Sequence, residues 1–427
     1  MSKPDFEQTL FEALVDDTDT PGDLSDAQAT HEPGNFLRHA GSLSMSKIAD
    51  GLIDPKLVLS WLLDHLGASA FFVGLLVPIR EAGALLPQLF TAAHVQAMDR
   101  RKWAWVGGSI GQGAAAAGIV LAALTLTGTA AGAVICGLLA VLAVSRSVCS
   151  VSYSDVLGKT VGQSRRGAAT GTATSLGAAA VVIFALLLMS GLIDRTTLVL
   201  VAIALAALLW LGAGLLFSTL WEEAAPGAGE TPAFAQLALL RRDPQLRRFI
   251  YARGLLTSTA LAPPYIVLLG SQAGQGGFDR LGALVLASSI ASLLSSWIWG
   301  RLADRSSRRV LIVSALAGAL ALVSAVAMDL IGLSGTIWAL PLVLFVLMIA
   351  YHGVRQGRVI YLVDMAPKDN RAAYTAVSNT VIGLLLLGSG LFGALASLAG
   401  PHVTLTIFAA MALASIIVTR GLDEITP

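Results

Sequence analysis

A charged run at residues 300–309 separates two long apolar segments, and it contains four arginines and one aspartate. The apolar segments, residues 281–299 and 310–327, are each long enough to cross a hydrocarbon core of about 30 Å as a helix. Because a charged turn between two spanning helices lies at a membrane surface, the run predicts a helical membrane protein. The arginines favour the cytoplasmic side, and Asp304 is expected to cap the next helix. A simple positive-inside anchor is the alternative interpretation of this run.

The overall composition agrees with a membrane location. Of the 427 residues, 55% are hydrophobic and only 13% are charged, whereas about a quarter of a soluble chain is charged. The net charge of +1 gives no electrostatic footprint for nucleic acid. Cys136 and Cys149 fall in one predicted helix and are too far apart along it for a disulfide. No metal-ligand cluster is present in the sequence, and no metal or cofactor is predicted.

The apolar segments predict an all-α membrane protein of about twelve transmembrane helices in two six-helix halves, residues 36–221 and 249–420. The first span is expected over residues 40–63, and Pro263 and Pro264 predict a kink in the seventh. Residues 1–35 hold nine acidic side chains and predict a disordered cytoplasmic tail, with a regulatory segment as the alternative. Residues 222–248 predict a cytoplasmic linker, and residues 421–427 a short tail. The Lys and Arg distribution predicts cytoplasmic termini and a cell (inner or plasma) membrane location.

Charged sequence features of the first half recur in the second half. Two of these features recur 205 residues further along the chain, and in a third an arginine precedes an aspartate by nine residues in both halves. The recurring features are Asp99-Arg100 and Asp304-Arg305, Arg166 and Arg371, and Arg146 with Asp155 and Arg355 with Asp364. Repeated halves of this kind are typical of transporters that bind substrate near the membrane midplane.

With this repeat, residues 300–309 resemble the loop signature of the major facilitator superfamily, Gly-x-x-x-Asp-Arg-x-x-Arg-Arg. The first-half copy is degenerate, and the fifth span lacks the Gly-x-x-x-Gly-Pro signature of many proton-driven drug exporters. The resemblance implies a monomer that carries a small-molecule substrate through the lipid bilayer. It also implies a cytoplasmic gate, for which the candidates are Asp99, Arg100, Arg146, Asp155, Arg166, Gly300, Asp304, Arg305, Arg308, Arg309, Arg355, Asp364 and Arg371.

Charged residues within the first two spans are the candidates for solute and proton binding, because a charge inside the bilayer is costly. Asp50 and Asp54 are four residues apart on one helix face, and Lys47 precedes Asp50 by three. Asp50 is a candidate for proton uptake; the alternatives are that Lys47 neutralises it as a structural pair or that the polar end of the first span is solvated. Arg80 and Glu81 point about 100° apart on a helix, so they cannot simply face each other. Glu81 is a second proton candidate, Arg80 is an anion-binding or gating candidate, and an interhelical ion pair is the alternative for both.

These features predict a secondary active transporter that works by alternating access and is coupled to protons. Export of an amphiphilic compound is slightly favoured, because the expected cavity has few polar groups outside the first two spans. The alternatives are an importer of a small metabolite and a non-transporting sensor or receptor that acts through the N-terminal tail. The sequence contains no phosphate-binding loop, nucleophile elbow or zinc signature, so no enzyme activity is predicted.

Overall fold

The computed structural model describes residues 7, 11, 12, 15, 24–88, 91, 94, 95, 97–224, 239–272, 280–303, 306–367 and 371–424. The first half contains α1 (Asp26–Leu52), α2 (Val58–His65), α3 (Ala70–Leu85), α4 (Lys102–Thr125), α5 (Gly128–Thr160), α6 (Gln163–Ser190) and α7 (Arg195–Ser218). A short helix, α8 (Leu239–Arg242), precedes the second half. The second half contains α9 (Pro244–Leu261), α10 (Pro263–Gln272), α11 (Arg280–Ala303), α12 (Ser307–Leu330), α13 (Ala339–Met365), α14 (Arg371–Gly388), α15 (Leu391–Ala399) and α16 (Pro401–Arg420).

Nine helical segments in the described ranges are long and apolar enough to cross a membrane. The first span, formed by α1 and α2, together with α3 and α11, brings the total to twelve. These additional spans are shorter in their apolar part or carry charged side chains, which is why the first two stood out in the sequence. The predicted all-helical fold of about twelve membrane helices is confirmed.

The packing of the helices repeats between the halves. In the first half α4 packs on α5 and α7, and in the second half α12 packs on α13 and α16. Likewise α3 packs on α5 as α11 packs on α13, and α1 packs on α7 as α9 packs on α16. The two halves meet where α6 lies along α11, and where α3 lies along α14 and α15. The recurring charges in the sequence therefore mark equivalent positions in two structurally repeated units.

The first span is broken, and the expectation of one helix over residues 40–63 is wrong. Pro55 interrupts it, because proline has no N–H to donate and its ring clashes with the preceding turn. The Asp54 carbonyl oxygen accepts hydrogen bonds from the N–H groups of Val58 at 2.9 Å and Leu59 at 3.1 Å, which starts the second helix. The seventh span is broken in a similar way, since α9 ends at Leu261 and α10 starts at Pro263, as the prolines predicted.

The N-terminal tail is shorter than predicted, because α1 begins at Asp26 and residues 26–35 are helical. The Ser25 hydroxyl oxygen accepts a hydrogen bond from the Gln28 N–H, and the Gln28 side-chain oxygen accepts one from the Ser25 N–H, which forms a capping box. Glu32 is buried and pairs with Arg165 at the start of α6. Phe11 is buried and packs edge-on against Phe36, with 5.3 Å between ring centroids. Most of residues 1–23 lies outside the described residues.

The predicted linker 222–248 is also shorter at its C-terminal end, because α8 and the first turn of α9 already lie within it. Asp243 caps α9, and its carboxylate accepts hydrogen bonds from the N–H groups of Gln245 at 2.8 Å and Leu246 at 3.1 Å. Residues 225–238 of the linker are outside the part of the chain that the structure describes. The second half therefore starts about one helical turn before the predicted residue 249.

The molecule has two ends. We call the end that holds the turn before α4 and the start of α12, with Arg100 and Arg308, the basic face, and the end with the α6–α7 turn the far face. Two close contacts between the halves lie at the far face. A Cβ atom on Gly393 of α15 would lie 2.7 Å from the Phe71 carbonyl oxygen, and one on Gly282 of α11 would lie 3.0 Å from the Ala185 carbonyl oxygen.

Candidate functional site

A cavity of about 460 Å³ lies between the two halves. The first half lines it with α1, the break after α1, α3, α5 and α6, and the second half lines it with α11 and α13. Both halves therefore contribute side chains to one space, at the position where transporters built from repeated halves bind their substrates.

The cavity is strongly charged, with more basic than acidic side chains. Six basic side chains line it: Lys47, Lys56, Arg80, Arg146, Arg355 and Arg358. Three acidic side chains line it: Asp50, Asp54 and Glu81. The expectation of few polar groups outside the first two spans is wrong, because α5 and α13 supply three of the arginines. The argument for an amphiphilic compound rested on that expectation and loses its basis.

Asp50 lies between two guanidinium groups. The Arg80 Nη2 atom is 2.9 Å from the Asp50 Oδ1 atom, and the Arg146 Nη1 atom contacts both carboxylate oxygens. Lys47 lines the same cavity, but the ion pairs of Asp50 are formed with these two arginines. Asp50 is therefore neutralised by Arg80 and Arg146 rather than by Lys47, and these ion pairs join α1, α3 and α5.

Glu81 directly follows Arg80 on α3, where neighbouring side chains diverge by about 100°. Its carboxylate lines the cavity, and the cations around it are Lys56, Arg358, Arg80 and Arg355. Within the described residues, none of these cations comes within the 4.0 Å that defines an ion pair with it. Among the described residues, Glu81 is thus a carboxylate in the cavity that is surrounded by basic side chains but forms no direct ion pair with any of them.

The break in the first span places Lys56 against the second half. The Lys56 Nζ atom lies 3.6 Å from the centroid of the Tyr351 ring on α13, a cation–π contact between the halves. The Asp54 carboxylate accepts a hydrogen bond from the Lys56 N–H at 3.1 Å, so it stabilises the turn that positions this lysine. Asp54, a coupling candidate in the sequence, has this local structural role in the fold.

The structure adds three cavity residues that the sequence analysis did not select, namely Tyr351, His352 and Arg358 of α13. The signal was available in the sequence. Tyr351, Arg355 and Arg358 follow one another at intervals of four and three residues, so they share one face of a helix. That polar stripe on an otherwise apolar span indicates a face that turns away from lipid.

On the basic face, Asp155 belongs to a network within the first half. It pairs with Arg101, the neighbour of the predicted Arg100, and its Oδ2 atom lies 2.8 Å from the Lys159 Nζ atom. The Glu222 carboxylate accepts hydrogen bonds from the N–H groups of Arg101 and Lys102, at 3.0 and 2.8 Å. Both Asp99 and Arg100 are exposed in the turn before α4.

Other gate candidates also bind within their own half. Arg166 donates to the carbonyl oxygens of Gly158 at 2.9 Å and Val161 at 2.8 Å, where α5 ends. Arg308 pairs with Glu424 of the C-terminal tail. The remaining candidates are placed as follows: Arg309 and Asp364 are exposed, Asp304 and Arg305 lie outside the described residues, and only the backbone of Gly300 and Arg371 is described.

Arg146 and Arg355 need a correction. The repeat placed them in a network near the cytoplasmic helix ends, but both line the central cavity. Arg146 binds Asp50 rather than Asp155, because it lies near the middle of α5, whereas Asp155 lies more than two turns further along the same helix. The gating role of the other candidates stays a prediction.

A helical repeat of about twelve spans with a charged cavity between its halves is the arrangement typical of membrane transport proteins. Residues 256–426 match the family model for the Major Facilitator Superfamily. The predicted resemblance to the major facilitator superfamily is therefore confirmed, by sequence over most of the second half and by fold over both halves.

Solved transporters share this fold. A mutant of the nucleoside transporter NupG superposes with a TM-score of 0.70 at 13% identity, over 91% of this chain and 100% of that chain. A POT family transporter in complex with a thioalcohol-conjugated peptide gives 0.67 at 12% identity, over 90% and 94%. A POT family transporter in complex with 5-aminolevulinic acid gives 0.67 at 11% identity, over 90% and 94%. No curated protein matches the sequence.

Proposed function

We propose that the protein is a secondary active transporter that carries a small solute across a cell membrane by alternating access. The observation that carries the proposal is the cavity between the halves, to which each half contributes charged side chains. Inside a bilayer such charges are costly, and they are kept where they bind a solute or an ion. The contact between the halves at the far face supports a two-state rocking motion about this cavity.

We further propose that protons drive the transport, through Asp50 or Glu81. Protonating Asp50 would remove the charge that holds Arg80 and Arg146, so it would change the charge presented to the solute. Protonating Glu81 would remove a carboxylate from between Lys56 and the α13 arginines, at the boundary of the two halves. Both termini are proposed to lie on the cytoplasmic side, because Lys and Arg concentrate on the basic face.

The test is proton movement and solute flux in liposomes that contain the purified protein. A pH-sensitive dye inside the vesicles reports protons while neutral, cationic and anionic solutes are added in turn. Asp50→Asn and Glu81→Gln are compared with the wild type. Asp329→Asn is a matched control, because that carboxylate accepts a hydrogen bond from Ser334 at 2.9 Å outside the cavity.

A solute-dependent pH change that disappears in one cavity variant and persists in Asp329→Asn supports coupling through that carboxylate. Flux without proton movement leaves the transporter in place and removes the coupling role of both residues. No flux of any solute, with protein that remains folded, contradicts the transport function and favours the receptor alternative. That alternative is then tested by deleting residues 1–23, which leaves the cap and all of α1 intact.

A further inference from the structure

We propose that the carried solute is a small organic oxyanion with at least two negative charges, held by Arg355 and Arg358 of α13 beside Lys56 and Glu81. This inference rests on the proposed transport function and specifies its substrate class. It starts from the charge of the cavity, where six basic side chains face three carboxylates and leave an excess of three positive charges. In a site of low dielectric, such an excess is stabilised by an anion.

The basic side chains of the cavity differ in whether they form contact ion pairs. Arg80 and Arg146 share Asp50, so their charges are partly balanced within the first half. Among the described residues, neither Arg355 nor Arg358 has a carboxylate within the 4.0 Å that defines an ion pair. The two α13 arginines thus face the cavity without a contact ion pair, and they share the nearby Glu81 with Lys56.

The two α13 arginines suit an oxyanion by their chemistry. They are three residues apart, so they lie on the same face of the helix, and both line the cavity. A guanidinium group presents a planar fork of N–H donors that matches the two oxygens of a carboxylate or phosphate group. Ser288 and Ser292 of α11 line the same cavity and add hydroxyl groups that can donate to further oxygens.

An anion here would also join the halves. Lys47 and Lys56 belong to the first half and the two arginines to the second, and Lys47 interacts electrostatically with Arg355 across the cavity. Without an anion these like charges repel each other. With one, both halves bind the same solute, which favours a state closed around it. The cavity of about 460 Å³ is of the size that holds a small organic molecule.

The experiment measures binding and transport with defined probes. Thermal stabilisation of the purified full-length protein is recorded with lactate, succinate, citrate, glycerol 3-phosphate, inorganic phosphate, glycerol and choline. Uptake of the labelled forms follows in proteoliposomes. The variants are Arg355→Gln, Arg358→Gln and Arg358→Lys, and the control is Arg242→Gln, an exposed arginine of α8 outside the cavity.

The expected result is saturable binding of a di- or trivalent organic anion that exceeds binding of lactate. Each Gln variant should weaken it about 10- to 100-fold, as loss of a hydrogen bond to a charged group does. Arg358→Lys should retain part of the binding, and Arg242→Gln should bind like the wild type. Preference for succinate or citrate identifies a carboxylate, and preference for glycerol 3-phosphate identifies a phosphate ester.

Three results would overturn the inference, and they can be told apart. If glycerol or choline is carried and no anion binds or competes, the transport function stands and the anion inference is wrong. If no probe of any charge binds or is carried, the transport function fails with it. Binding of anions that is unchanged in both Gln variants, with all variants folded, also contradicts the site. A folded state is checked by the thermal transition without probe.

Discussion

Replacing Gly74 by alanine would place a methyl group where α3 of the first half touches α15 of the second half. The nearest atom to a Cβ at this position is the Gly393 Cα atom, and the Gly393 backbone nitrogen would be 3.0 Å away. The Tyr265 hydroxyl oxygen would be only 2.6 Å away. Backbone atoms cannot rotate aside as a flexible side chain can, so the two halves must separate at the far face.

The size of the effect follows from these contacts. Carbon atoms pack at about 3.5–4.0 Å, so the helices would have to move apart by roughly 1 Å. Overpacking of this kind costs about 1–3 kcal/mol. If the cost falls on the state in which the far face is closed, the equilibrium shifts toward the opposite state about 5- to 150-fold.

The shift can be measured as a distance across the far face. Spin labels at Leu192→Cys and Leu330→Cys report it, since both leucines are exposed at turns of different halves. The buried thiols of Cys136 and Cys149 are first replaced by alanine. Gly137→Ala is the matched control, because nothing lies within 4 Å of a Cβ atom there.

The expected result is a longer distance population in Gly74→Ala that is absent in the Gly137→Ala control. Distance distributions that agree between the two variants, in protein of equal thermal stability, would refute the view that the halves part at this contact.

Three further predictions concern the ends of the molecule and the broken span. The side chains of Arg165 and Glu32 are at most 3% exposed, so Arg165→Met leaves the Glu32 carboxylate buried without its cation. This should lower the free energy of unfolding, measured by SDS titration, by about 3–5 kcal/mol. A loss below about 1 kcal/mol would contradict this prediction. Pro55→Ala should let the first helix continue and reduce solute flux in proteoliposomes while the protein stays folded; unchanged flux would show that the break is dispensable. The Ser306 hydroxyl holds the pKa of Glu424 below its usual 4.5, so the tail contact should persist above pH 4.5 and be lost as the pH falls through the lowered pKa. The loss is measured as a fall in the hydrogen-exchange protection factors of residues 421–424, each rate being divided by the intrinsic rate at that pH; protection factors that stay equal from pH 7 to pH 2 would count against it.

Much of the fold could be predicted because hydropathy and charge are local properties of the chain. A span of about twenty apolar residues can be recognised in the sequence without knowing which helices it packs against. Helix ends that depend on contacts were less accessible. The first turns of α1 are polar, and they are helical because Glu32 and Asn35 are buried against Arg165 and Trp221 from distant parts of the chain.

The candidate site was predicted in part, and its errors have one cause. Asp50, Arg80 and Glu81 were found because charges in the first two spans are conspicuous. Arg146 was placed in the wrong network, since sequence spacing does not show which neighbouring helix a side chain faces. Arg358 was missed for the same reason: its spacing from Tyr351 and Arg355 marks a polar helix face, but spacing does not show that this face lines the cavity.

The cluster around Asp50 has a mechanical consequence. Asp50 of α1 forms ion pairs with Arg80 of α3 and Arg146 of α5, so one carboxylate holds these three helices in fixed relative positions. While Asp50 is charged, sliding any one of these helices would open an ion pair inside the bilayer, which is costly. For the proposed transport cycle, we therefore expect α1, α3 and α5 to move together as one unit. The motion that exposes the cavity to either side then occurs at the contacts between the two halves.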